Sequence, residues 1–249
     1  MPPTAPPSLY VAVDTPDAAA AAALAAKLAP LSGLGVKLGL EFFGACGPDG
    51  IKAVKAAAPT TPIFLDLKFH DIPNTVAGAV KSVAPLGVAM LTLHSSGGPA
   101  MLKAAVTAAA ESAAASGAER PLLLAVTVLT SLDDADLEAV GQSTPAEAQV
   151  VRLALLAQSC GMDGVVCSAK EIEPIRAACG PSFVLCVPGI RPAGADHGDQ
   201  KRVVTPAAAM QSGATCLVVG RPIVHAPEPA AAASDILTEI QSAQGKKPA

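Results

Sequence analysis

The chain has 249 residues, 51% of them hydrophobic and 15% charged, with a formal net charge of −4 at pH 7. That length suits a single α/β barrel and gives a core large enough to need no cross-links. The acidic balance and an aromatic content of 2% argue against nucleic-acid binding, which favours a basic surface and stacking side chains.

Taken in chain order, residues 1–8 (Met1-Pro-Pro-Thr-Ala-Pro-Pro-Ser8) carry neither the basic nor the apolar stretch of a signal peptide. They are expected to form a disordered, Pro-rich tail. From Leu9 onward, short runs rich in Val, Ile and Leu alternate with longer Ala-rich segments bounded by Gly, Pro, Ser or Thr. The predicted strands are residues 9–13, 35–38, 63–67, 88–93, 122–128, 164–167, 183–187 and 216–219. They are continuously apolar rather than alternating, the pattern of strands buried on both faces. Among the helix signals, Thr144-Pro145-Ala-Glu147 reads as an N-cap, a Pro at the first helical position and a Glu three residues after the cap. Thr205-Pro206 opens a later helix that Gly213 is suited to end.

Eight buried strands alternating with helices predict a closed parallel (β/α)8 TIM barrel over residues 9–242, followed by a flexible tail at 243–249. An open doubly wound sheet is the competing architecture. Its glycine-rich dinucleotide fingerprint is missing after the first strand, where Asp14-Thr-Pro-Asp17 stands instead. The longest irregular stretch is 188–202, and a loop of that length inside a compact domain points to function. The only long apolar stretches without breaks are Ala-rich and too weakly hydrophobic to span a membrane. The six cysteines form no CxxC pair and no zinc-ligand spacing, so they read as small buried hydrophobes of a reduced, cytoplasmic protein.

With so few charges, those that end apolar runs carry information. Asp14 ends the first run, Lys37 lies in the second, Asp66 and Lys68 end the third with Asp71 just beyond, and His94 ends the fourth. In a barrel the chemistry sits at the carboxyl ends of the strands. Asp66 and Lys68, two apart on an extended chain, point to one face. Flanking carboxylates would hold a buried Lys68 charged, and Lys37 and Asp14 would extend the same alternating network. Each residue also has a plainer reading. Asp71, ahead of Ile72-Pro73, suits a helix N-cap; Asp14 suits a turn; a lone strand-end lysine snorkels to solvent; His94 suits a hydrogen-bonded role better than a metal site. Those readings do not account for four charged residues on three successive strands. After the last run, Gly220-Arg221-Pro222 combines close backbone approach with a phosphate-matching guanidinium, at a position where this fold commonly holds phosphate.

Together these residues resemble the orotidine 5′-phosphate decarboxylase family of the bacterial type. Asp66-Leu-Lys-Phe-His-Asp-Ile-Pro-Asn-Thr75 is similar to that family's catalytic signature almost letter for letter. Val11-Ala-Val-Asp14, Val36-Lys-Leu-Gly39, Val126-Thr-Val-Leu-Thr-Ser131, Val187-Pro-Gly-Ile-Arg-Pro192, Gly198-Asp-Gln-Lys-Arg202 and Val219-Gly-Arg-Pro-Ile223 resemble its other blocks in order, over roughly residues 9 to 225. The resemblance implies decarboxylation of orotidine 5′-monophosphate to UMP without a cofactor or metal. It implies Lys68 as proton donor to C6, Asp66 and Asp71 beside it, Lys37 in the charge network and Asp14 on the ribose. It further implies a homodimer with shared sites, in which Asp71, Ile72 and Thr75 reach the partner subunit's site. Thr130, or less favourably Ser131, would contact the pyrimidine, and Gln200, Gly220 and Arg221 would hold the phosphate with help from Arg191. Two rivals stand beside it. A hexulose-phosphate synthase or keto-gulonate-phosphate decarboxylase of the same superfamily shares an Asp-x-Lys-x-x-Asp frame but binds a metal. A non-catalytic nucleotide sensor would not need Lys68 between two acids.

Overall fold

The computed structural model describes residues 5–192 and 204–245. Its first half runs β1 (Leu9–Val13), α1 (Ala18–Leu28), β2 (Leu34–Leu38), α2 (Leu40–Ala57), β3 (Ile63–Phe69), α3 (Pro73–Val83), β4 (Met90–His94) and α4 (Gly98–Ser116). The second half runs β5 (Leu122–Val126), α5 (Asp134–Ala139), α6 (Ala146–Ser159), β6 (Gly164–Val166), α7 (Ile172–Cys179) and β7 (Val184–Val187). It closes with α8 (Pro206–Gln211), β8 (Cys216–Val219), α9 (Arg221–Val224) and α10 (Pro229–Gln244). The strands form one closed parallel barrel in sequence order, β1 pairing with both β2 and β8. The predicted (β/α)8 barrel is therefore the fold. Two strands, β1 and β8, have the bounds read from the sequence.

Closure splits the core in two. Outward-facing strand residues such as Val11, Val36, Leu65 and Leu91 pack under the helices in one cluster. Inward-facing Tyr10, Phe64, Met90, Leu124, Val184, Cys186 and Cys216 fill the barrel in another. The inner space is tight, so two strand positions carry no side chain. A Cβ on Gly35 would lie 2.5 Å from the Tyr10 ring, and one on Gly164 would lie 2.1 Å from the Val184 carbonyl oxygen. Both distances are far inside van der Waals contact.

Helix starts show where local signals suffice. Thr205 caps α8 by accepting from Ala208 N at 3.2 Å, and Gly213, at φ +107°, follows the helix as expected. The reading of Thr144 as an N-cap is corrected. The cap residue is Pro145, and the Ala146 N–H donates to Asp134 Oδ1 at 2.7 Å, a partner twelve residues upstream that a local pattern does not reveal. At the base of the barrel Arg120 makes a paired contact with Asp163, at 2.9 and 2.6 Å. Asp163 also accepts from Leu123 N at 2.7 Å, which fixes the start of β5. Of the segment read as an N-terminal tail, residues 5–7 line a cavity at this same base, and the Ser8 carbonyl accepts from Leu217 N.

Candidate active site

The carboxyl ends of β1 to β4 bring the charged residues together. Asp14 follows β1, Lys37 is on β2, Asp66 and Lys68 are on β3, and Thr92 and His94 are on β4. Lys37 Nζ lies 3.5 Å from Asp14 Oδ1 and 3.6 Å from Asp66 Oδ2. Lys68 Nζ donates to Asp66 Oδ2 at 2.9 Å. The order Asp14–Lys37–Asp66–Lys68 alternates in sign across three adjacent strands. Its centre is the drier part: the Lys37 and Asp66 side chains are 12% and 13% exposed, Lys68 29% and Asp14 60%. Gly39 caps α2 directly above this pair, where a Cβ would sit 3.4 Å from Lys37 Nζ and 3.5 Å from Asp14 Oδ1. A side chain there would contact both groups.

Burial works to raise the Asp66 carboxyl, but Lys37 and Lys68, with hydrogen bonds from Lys68 and Thr92, outweigh it and hold the pKa below its ordinary value. Asp66 is thus held ionised, with its negative charge shared between two ammonium groups. Burial, then the neighbouring His70 and Lys68, depress the His94 pKa against the opposing pull of Asp66. The His94 ring packs on that of His70 with centroids 5.4 Å apart.

The placement of Lys68 differs from a regular strand. Its φ is +51°, the only positive value at a non-glycine among the described residues, and the β3–β4 register shifts between Leu65 and Phe69. A bulge of this kind re-aims a side chain at the cost of local strain. Asp66 and Lys68 lie on one face of β3 as their spacing predicts, alternating with buried Leu65 and Leu67, and the bulge falls at Lys68. Thr92, passed over in the sequence, lies against it, accepting from Lys68 N at 2.9 Å and donating to Asp66 Oδ1 at 2.8 Å. The one available signal was parity: Thr92 and His94 share a strand face within an otherwise apolar run.

The remaining candidates ring the same mouth. Asp71, Ile72 and Thr75 are all exposed, Ile72 to 67%, and Asp71 Oδ1 accepts from Ile72 N at 2.6 Å. Ile72, not Asp71, occupies the N-cap position of α3. Thr130 is exposed in the turn after β5. Arg191 follows β7, largely buried, with its guanidinium donating to the Ile190 carbonyl at 2.9 Å. Gly220 and Arg221 follow β8, and a Cβ on Gly220 would lie 3.4 Å from Ala12 Cβ on the neighbouring strand. Gln200 lies outside the described residues. Among the described residues no three His, Cys, Asp or Glu side chains converge as a metal site, and no helix is long and apolar enough to cross a membrane.

A family model described as orotidine 5′-phosphate decarboxylase / HUMPS family matches residues 7–236. The chain belongs to this family. It is 53% identical over 234 residues to the orotidine 5′-phosphate decarboxylase of Moorella thermoacetica, covering 94% of this chain and 92% of that one. It is 55% identical over 232 residues to the enzyme of the same name from Paramagnetospirillum magneticum, covering 93% and 97%. Among solved structures, the orotidine 5′-phosphate decarboxylase of Lactobacillus acidophilus superposes with a TM-score of 0.81 at 37% identity, covering 95% of this chain and 99% of that one. In this family member the charged network, the exposed 71–75 segment and the Gly220-Arg221 turn all lie within the matched residues.

Proposed function

We propose that this protein is a carboxy-lyase that converts orotidine 5′-monophosphate to UMP in pyrimidine biosynthesis, with Lys68 as the proton donor to C6. The observation that carries this reading is the alternating Asp14–Lys37–Asp66–Lys68 network at the barrel mouth. Breaking the bond between C6 and the carboxylate carbon releases CO2 and leaves its electron pair on C6. A fixed ammonium is the group that stabilises charge developing there, and its proton then completes the C6–H bond. Lys68 fits both roles, held in place by its hydrogen bond to Asp66. The ionised Asp66 carboxylate repels a substrate carboxylate more than the neutral CO2 it becomes, an interaction that relaxes toward the transition state. This chemistry uses the protein's own charges and calls for no cofactor.

Binding follows from the other side of the mouth. Asp14 holds the ribose, Thr130 the pyrimidine, and Gly220, Arg221, Arg191 and Gln200 the phosphate. The enzyme acts in the cytoplasm as a homodimer in which Asp71, Ile72 and Thr75 enter the partner subunit's site. The exposure of that segment, with an apolar Ile72 at its tip, supports this arrangement. The catalytic unit is residues 9–242.

The direct test is an assay with orotidine 5′-monophosphate, following UMP, on protein dialysed exhaustively against a chelator. Turnover is expected in both states. No UMP from active-site-titrated protein would end the proposal, and strict dependence on added divalent metal would favour the metal-using sugar-phosphate relatives.

A further inference from the structure

We infer that Thr92 is a positioning residue of this site, acting through both Asp66 and Lys68; this rests on the function proposed above. Thr92 is fully buried on β4, between the two residues it serves. Its hydroxyl has one proton. The Asp66 carboxylate can only accept, and the Lys68 backbone N–H can only donate. The hydroxyl rotor is therefore fixed: it donates to Asp66 Oδ1 at 2.8 Å and accepts from Lys68 N at 2.9 Å.

Each bond has a separate consequence. The bond to Oδ1 sets the carboxylate plane, so that Oδ2 faces Lys68 Nζ at 2.9 Å and Lys37 Nζ at 3.6 Å. The bond from Lys68 N satisfies a backbone donor within the span where the β3–β4 register shifts. A bulge leaves such a group without its usual ladder partner, and a buried donor left unpaired is unfavourable. Thr92 thereby stabilises the left-handed backbone at residue 68, which aims the ammonium. One side chain fixes the carboxylate and the lysine relative to each other without reaching the reacting atoms.

The test compares wild type with Thr92→Val, which keeps the shape and removes the hydroxyl, and Thr92→Ser, which keeps the hydroxyl. For Thr92→Val, kcat for orotidine 5′-monophosphate is expected to fall about ten- to hundredfold, the range set by losing a hydrogen bond to a charged group. KM should stay within about threefold, because the phosphate and ribose contacts are elsewhere; Thr92→Ser should recover most of the lost kcat. A Thr92→Val enzyme with wild-type kcat, or a loss confined to KM, overturns the inference. If Thr92→Val does not fold, Thr92→Cys retains the packing with a weaker donor and should show the same loss in kcat, again recovered by Ser. Carbon-13 NMR titration of the Asp66 carboxyl gives a readout independent of turnover. Loss of the Thr92 bond should raise that pKa, since the bond is one of the interactions lowering it. An unchanged Asp66 titration overturns the inference; a raised Asp66 pKa in an enzyme whose wild type does not turn over orotidine 5′-monophosphate supports it and fails the proposed function alone.

Discussion

The two halves of the barrel interior are built differently. From β1 to β4 the inward face begins apolar, with Tyr10, Ala12, Phe64 and Met90, and ends in Lys37, Asp66, Lys68 and Thr92. From β5 to β8 it stays apolar, with Leu122, Leu124, Val166, Val184, Cys186, Cys216 and Val218. On that side the polar candidates Thr130, Arg191 and Arg221 sit in the segments after the strands. Under the proposed function the difference is a division of labour. Groups that would hold charge at one point are built mainly into strands, where packing fixes their rotamers, and groups that would grip remote parts of the ligand are carried on connections that can adapt.

Breaking the strand-borne half should cost most. Lys68→Ala is expected to reduce kcat roughly a thousandfold or more, since it removes the proposed proton donor together with its preorganised charge, while UMP binding persists. Near-normal turnover, measured alongside UMP titration, would remove Lys68 from the chemistry.

A second test asks whether the chemical half is completed by another subunit. Mixed Lys68→Ala and Asp71→Ala protomers should form heterodimers with one doubly damaged site and one intact site. Activity should then rise from near zero to the fraction of intact sites. If heterodimers form, as native mass spectrometry would show, and no activity returns, Asp71 serves its own chain.

The gripping half should show smaller effects that depend on the ligand. Arg221→Ala is expected to lower kcat/KM about ten- to hundredfold, the range for a lost charge-assisted contact. Orotidine without its phosphate should be a poor substrate for the intact enzyme and little affected by the same change. Equal losses on both substrates would place Arg221 in the fold or the pyrimidine site instead.

The smallest effect is on stability. Because the folded state holds the Asp66 pKa below its ordinary 3.8, its ionised form is stabilised by folding. That contribution is complete above the unfolded pKa and is lost as pH falls through the folded one. Asp66→Asn cannot titrate, so its stability relative to wild type should improve as pH drops below 3.8. Denaturant melts between pH 6 and pH 3 would show a constant gap if the two ammonium groups did not stabilise the carboxylate.

Much of this arrangement was legible because it is local or repetitive. Continuous apolar runs locate the strands, and charge at their ends stands out in a weakly charged chain. What escaped is non-local. The apolar pattern ends the third strand at Leu67, but Phe69 pairs with Leu93 beyond the bulge. A register shift depends on the neighbouring strand and leaves no periodic trace. Thr92 was invisible for a related reason: a threonine in a strand is ordinary, and its two partners are 24 and 26 residues away. The local pattern puts the cap of α6 at Thr144, whereas the acceptor for its first N–H, Asp134, comes from a preceding helix.

The left-handed backbone at Lys68 also reverses an ordinary ranking of small residues. In a regular strand, alanine is preferred to glycine, which loses more freedom on folding, by roughly 0.5–1 kcal/mol. At φ +51° a Cβ is itself the burden, at about 1–2 kcal/mol. Lys68→Gly should therefore be the more stable of two equally inactive proteins, ahead of Lys68→Ala in thermal melts.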